Sequence, residues 1–169
     1  IACISKLTHD IVQTVSPDVE SHYVPHAVDS NVFRPLPTKD VKEFSTALLN
    51  DGDELEDKVT FFWNNRNARR KQSGSLLFWF NEFLNKVGRD KARLIMHTEP
   101  KDPNGQDLVA ILHQLNLTGG EVYLSTSKLP AESLALMYNM ADVTINISDA
   151  EGFGLATLES LSCGTPIIV

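Results

Sequence analysis

From residue 58 onward, short apolar runs alternate with stretches whose apolar residues recur every three or four positions. Val59-Thr-Phe-Phe-Trp63, Ala92-Arg-Leu-Ile-Met-His97, Glu121-Val-Tyr-Leu124 and Asp142-Val-Thr-Ile-Asn-Ile147 read as strands, and Pro166 to Val169 begins a fifth. Between them, Ser75 to Val87 carries apolar residues at 76, 77, 80, 83, 84 and 87, a helical spacing. Asp107 to Leu115 places Leu108, Ile111, Leu112 and Leu115 on one face, and Ala131 to Met140 and Phe153 to Ser162 complete the set of helices. Strands alternating with helices of this length predict an α/β fold: a Rossmann-like parallel sheet with helices on both faces.

The first 57 residues follow another pattern. Ile1 to Ser5 and His22 to Val24 are expected strands flanking a helix at Thr8 to Val15. Pro25, Pro35 and Pro37, with Asp29-Ser-Asn31 among them, then read as a linker into the α/β unit. Lys42 to Asn50 is an expected short helix, and the acidic stretch from Asp51 to Asp57 a solvated loop. The apolar run at Pro166 to Val169 reads as a buried strand met at its start, and the chain opens on Ile1. Both lead to the expectation that the chain is an excerpt of a longer protein.

Composition narrows the class. The 169 residues are 42% hydrophobic and 22% charged, which excludes a disordered tail, a fibre and a disulfide-rich miniprotein. No apolar run approaches the ~18 residues of a membrane span, and Asp10 interrupts the opening that a signal peptide would need. A net charge of −7 argues against a generic nucleic-acid partner. Cys3 and Cys163, far apart in the chain, suggest a reduced, cytoplasmic setting.

Two segments could carry chemistry. The first is Glu151-Gly-Phe-Gly-Leu-Ala-Thr-Leu-Glu159, followed by Cys163-Gly-Thr-Pro166. It puts a glycine-containing turn and a helix start at the carboxyl end of a parallel strand, where such sheets bind ligands and where a helix favours an anion. Glu159 lies two turns into that helix, so its carboxylate stands about 8–12 Å from that of Glu151. On the residues alone, an ordinary strand-to-helix turn with helix-start glutamates fits equally well. The second segment, Asn64-Asn-Arg66-Asn-Ala-Arg69-Arg70-Lys71, gathers four of the chain's fifteen cations within six residues directly after a strand. Cations there suit phosphates. A solvated basic turn is the competing reading, and the better one for Arg69 and Arg70. Asp51-Gly-Asp53 has the look of a metal-binding Asp-x-Asp pair but sits in an acidic loop. Asn116-Leu-Thr118 and Asn146-Ile-Ser148 fit a glycosylation pattern without other support, and no His/Cys cluster suggests a metal.

Together these motifs resemble the donor-binding C-terminal domain of the family 4 (group 1) retaining glycosyltransferases, which have the GT-B fold. Glu151 through Pro166 matches that family's carboxylate-x7-carboxylate motif and its Cys-Gly-Thr-Pro ending. Arg66 and Lys71 match its Arg/Lys pair, and Val24-Pro-His-Ala-Val-Asp29 with Phe33 and Pro35 matches its interdomain segment. The resemblance covers residues 22–169. It implies that 1–21 ends an acceptor-side domain, 22–57 links the domains, and 58–169 binds the nucleotide sugar.

It also implies roles. Arg66 and Lys71 would hold the donor diphosphate and, with Glu151, form the catalytic set. Glu159 would bind the ribose. Glu151 with Gly152, Phe153 and Gly154 would hold the sugar, and the amides of Leu155 and Ala156 would meet phosphate. Ser127 and Lys128 fall where the base packs. No cofactor and no metal are implied, since the donor, a UDP- or GDP-sugar type of molecule, is a substrate. The acceptor would be a carbohydrate or a lipid-linked group held by an absent N-terminal domain, with peripheral membrane association of the full protein left open. A GT-B-fold epimerase and a non-catalytic module of the same fold are the alternatives. Three positions depart from the pattern: Gln72 stands for the glycine after the lysine, His97-Thr-Glu-Pro100 for a glycine-rich turn, and His26-Ala27 for Asn-Gly. His26 reads as a packing residue and His97 as a strand-end cap.

Overall fold

The structure is a computed structural model that describes residues 1–49 and 58–169; the acidic stretch with Asp51-Gly-Asp53, expected to be a loop, lies outside the described residues. Its centre is a five-stranded parallel sheet. The strands are β3 (Val59–Asn64), β4 (Ala92–His97), β5 (Val122–Ser125), β6 (Val143–Ile145) and β7 (Ile167–Ile168), in the order β5-β4-β3-β6-β7. The order reverses between β3 and β6, so the crevice of an open parallel sheet opens there, beyond the carboxyl ends of those two strands. Ahead of the sheet, β1 (Ala2–Cys3) and β2 (His22–Tyr23) pair in parallel around α1 (Lys6–Val15), whose N-cap Ser5 Oγ accepts from the Thr8 amide at 3.1 Å.

Alternation along β3 and β4 builds two cores. Trp63, Leu94 and Met96 face α3 (Ser73–Val87) and α4 (Leu108–Gln114), which supply Leu76, Leu77, Phe80, Leu84, Leu108 and Leu112. Phe62 and Ile95 face the opposite side, against α5 (Ala131–Met140) and α2 (Thr38–Leu49). Helices therefore cover both faces of the sheet, as expected. The outer face of α3 is unusual for a surface helix, because Phe78 and Trp79 meet edge to face and are largely exposed, Trp79 at 66%. No helix among the described residues is long and apolar enough to cross a membrane.

Several boundaries move, each for a local reason. α2 begins at Thr38 rather than Lys42, since the Pro37 carbonyl accepts from the amides of Asp40 and Val41 and starts the helix early. α6 (Leu155–Ser162) begins two residues after Phe153 because Gly154 is left-handed, at φ +84°. β1 and β2 shrink to two residues each. The segment read as a linker is anchored on α5: Phe33 is buried, the Leu36 amide donates to Asn139 Oδ1 at 2.8 Å, and Asn139 Nδ2 donates to the Arg34 carbonyl.

Candidate functional site

The two segments singled out in the sequence meet at the β3/β6 crevice. After β3, the chain runs through Asn65 to a single 3-10 turn at Arg69–Lys71 and leaves it at Gln72, which is left-handed at φ 53°. That turn clamps the loop after β6. The Arg70 carbonyl accepts from the Asp149 amide at 2.8 Å and from Ser148 Oγ at 3.1 Å, and Arg70 Nη1 donates to the Ala150 carbonyl at 2.6 Å. Gln72 Nε2 reaches both carboxylate oxygens of Asp149 at 2.8 Å. Lys71, nearly buried, forms an ion pair and hydrogen bond with Glu151, and Arg70 approaches the same carboxylate at 3.4 Å. Arg70 is thus a structural tie rather than a free solvated cation.

Around this pair lies a cleft of about 250 Å³, lined by Asn64, Asn65, Lys71, Glu151, Gly154, Leu155, Ala156 and Glu159. α6 points its N-terminus into the cleft without a side-chain cap, so its first amides and the partial positive charge of the helix end face the opening. Glu159 sits deeper. Its Oε2 accepts from the Tyr138 hydroxyl at 2.6 Å, and that hydroxyl accepts from Asn64 Nδ2 at 2.9 Å. Burial raises the Glu159 pKa, partly offset by the Tyr138 hydrogen bond. Beside it, Asn65 donates to Asn146 Oδ1 and Asn146 to Thr157 Oγ1, at 3.1 and 2.7 Å, tying the ends of β3 and β6 to α6. Asn146 is buried, in keeping with its place at the end of β6 and not with a glycosylation site.

A second cavity, of about 280 Å³, shares Asn64 and Asn65 with the first and adds Arg66, His97, Thr98, Glu99, Thr126, Ser127 and Lys128. Arg66 is not beside Lys71. Its guanidinium grips Asp102 at 2.7 and 3.2 Å, and this hydrogen bond holds the Asp102 carboxyl down at about 2. Asp102 rides on a loop stapled by Asn67, whose Nδ2 donates to the Gln106 carbonyl at 2.7 Å and whose Oδ1 accepts from Ser73 at 2.8 Å. Gly105 is required there, since a Cβ would stand 1.9 Å from the Asn67 carbonyl oxygen. His97 Nδ1 bonds Ser125 Oγ at 2.9 Å, and burial lowers its pKa, favouring the neutral ring.

The remaining expected site residues, Gly152 and Phe153, line neither of these cavities. Phe153 packs edge-on to His26 at 5.3 Å, which makes His26 a packing partner, and Gly152 is exposed near the Ile4 side chain. The structure therefore gathers Lys71, Glu151, Gly154, Leu155, Ala156 and Glu159 in one cleft and Arg66, Ser127 and Lys128 in its neighbour. Tyr138, Asn64 and Asn65 were given no site role from sequence, and Asn146 was read only as part of a glycosylation pattern. The two asparagines after Trp63, in a parallel sheet's strand end, were the available signal. No cluster able to hold a metal ion occurs among the described residues.

Residues 107–169 match the family model for glycosyl transferases group 1. Over 171 aligned positions the chain is 27% identical to alpha-monoglucosyldiacylglycerol synthase of Streptococcus pneumoniae (strain ATCC BAA-255 / R6), covering 99% of the chain but 36% of that protein. In fold it resembles sucrose-phosphate synthase from Thermosynechococcus elongatus, with TM-score 0.73, 22% identity, and 98% and 39% of the two chains covered. It also resembles the trehalose-6-phosphate protein from E. coli bound with UDP-2-fluoro glucose, with TM-score 0.60, 17% identity, and 85% and 34% covered. The chain thus spans little more than a third of its curated relative. By motif, relative and fold, the chain is similar to the group 1 glycosyltransferases, whose family model matches its residues 107–169.

Proposed function

We propose that this chain is the donor-binding part of a retaining glycosyltransferase that takes a nucleotide-diphosphate sugar. In that reading residues 58–169 bind the donor, 22–57 join the domains, and 1–21 close an acceptor-side domain. The observation that carries it is the pairing of Lys71 with Glu151 at the uncapped start of α6, with Glu159 deeper in the same cleft. A lysine and a helix N-terminus converging on one opening suit a diphosphate, and their fixed charge would stabilise the negative charge that grows on a departing nucleotide. Glu151 would exchange its lysine contact for the hydroxyls of the sugar, and Glu159 would take the ribose. The neighbouring cavity, with Ser127 and Lys128, has room for a base. For Arg66 to reach a diphosphate it would first leave Asp102.

The name of the Streptococcus pneumoniae relative points to a diacylglycerol acceptor and an alpha linkage, which is what retention yields from an alpha-linked nucleotide sugar. The E. coli protein of the same fold is described with a UDP-sugar analogue. The test is a thermal-shift panel of UDP, GDP and ADP and their sugars on the full-length protein, with and without chelator. One diphosphate and its sugar are expected to raise the midpoint, equally with chelator present. No shift with any of them would leave an interaction module of this fold, and a shift abolished by chelator would mean that a metal bridges the diphosphate.

A further inference from the structure

We propose that Tyr138 is a positioning residue for nucleotide recognition: its hydroxyl fixes Glu159 so that one carboxylate oxygen is held and the other is presented to the ribose. The proposal rests on the donor-binding reading above. Three elements meet at this hydroxyl. Asn64 at the end of β3 donates to it at 2.9 Å, Tyr138 on α5 donates onward to Glu159 Oε2 at 2.6 Å, and Glu159 stands on α6. The ring cannot drift, because Tyr138 is fully buried and held edge-on by Phe62 and Phe33, with centroids at 5.1 and 6.2 Å. With its acceptor site filled by Asn64, the hydroxyl has one proton and one place to send it. Among the described residues no donor reaches Glu159 Oε1, and Glu159 lines the cleft.

A carboxylate with both oxygens free turns about its last bond and loses that freedom on binding. One pinned at Oε2 has already lost it, so the ribose meets a fixed acceptor. The hydrogen bond also acts on ionisation. Burial raises the Glu159 pKa and the Tyr138 hydroxyl offsets part of that rise, which favours the accepting form of the carboxylate. The other titratable groups about it are Cys163 at the end of α6 and Lys71 and Glu151 across the cleft.

Tyr138→Phe keeps the ring and removes only the hydroxyl. With the diphosphate that binds wild type in the full-length protein, affinity should fall about tenfold. Affinity for its 2′,3′-dideoxy analogue and for inorganic pyrophosphate should stay unchanged. The acid limb of nucleotide binding should move to higher pH, since the carboxyl now protonates more easily. In a Glu159→Gln background the same change should cost nothing further. Equal weakening for nucleotide, dideoxy analogue and pyrophosphate would mean a general loosening and overturn the proposal, as would an unmoved acid limb. Should Tyr138→Phe fail to fold, Glu159→Asp keeps the charge but draws it away from the hydroxyl, and undiminished preference for the ribose there overturns the proposal too. If wild type binds no nucleotide diphosphate, the donor-binding reading itself fails, which is a different result.

Discussion

Lys71 and Glu151 lie 80 residues apart in the chain and form an ion pair at the mouth of an otherwise open cleft. A nearly buried ammonium needs its partner, yet Glu151 can be released to a ligand because Arg70 stays within reach of it and an incoming diphosphate would neutralise Lys71 in its place. On the proposed role, Lys71→Ala lowers the maximal rate more than it weakens donor binding, because the charge it offsets grows as the glycosidic bond breaks. Steady-state kinetics beside equilibrium binding of the free diphosphate separates the two, and equal losses would place Lys71 in ground-state binding alone. Glu159 carries a second prediction. Its pKa is raised in the fold, so its ionised form opposes folding above the unfolded value of 4.5 and is indifferent below it. Glu159→Gln should therefore melt higher than wild type at neutral pH, with the gain vanishing as pH falls below that value, while nucleotide binding weakens. Thermal melts across pH 4 to 8 check the sign. At this scale the residue types were legible and their partners were not. Lys71, Glu151 and Glu159 stand out by spacing in the sequence. Arg70 on the Ala150 carbonyl, Gln72 on Asp149 and Tyr138 on Glu159 arise only when distant segments are folded together.

Among the elements, α6 decides how the cleft is built. Gly154 caps it in a left-handed conformation that places the first helical amides at the opening. Gly154→Ala should destabilise the protein by about 1–2 kcal/mol, the strain of a Cβ in that region, and should weaken diphosphate binding as well. Gly152→Ala is the control, since its Cβ would meet nothing nearer than the Ile4 side chain at 3.9 Å. Denaturant unfolding of both variants distinguishes them, and matching losses would mean that the loop, not the backbone sign at Gly154, sets the cap. The elements themselves were largely legible: β4 and α5 coincide with the apolar patterns that predicted them. Strands buried on both faces leave near-continuous apolar runs, and amphipathic helices leave a stripe. Helix starts were harder to read, because Pro37, Gln72 and Gly154 act through backbone angles that composition does not report. Gln72 shows this most plainly. It takes the left-handed angle for which a glycine is the usual choice and adds an amide that holds Asp149.

For the molecule as a whole, the order of the strands does what no single motif does. By reversing at β3 and β6 it brings Arg66 to Lys71 and Glu151 to Glu159 to the same edge of the sheet. The chain is acidic overall, at −7, yet residues 58–93 hold nine Lys and Arg against two Asp and Glu, so charge is sorted along the sequence. The two tryptophans are sorted as well. Trp63, one residue before Asn64, is wholly buried, whereas Trp79 on α3 lies open to solvent. Their fluorescence should divide accordingly, with a blue-shifted component that acrylamide scarcely quenches and a red one that it removes. Trp79→Phe would silence the second and leave one emitter in the core, next in sequence to Asn64 of the cleft lining. Titrating that variant with the diphosphate that binds should then change the remaining emission, and a flat titration would mean that the end of β3 does not sense the ligand. The buried indole is an internal lamp one residue from the cleft lining, requiring no label.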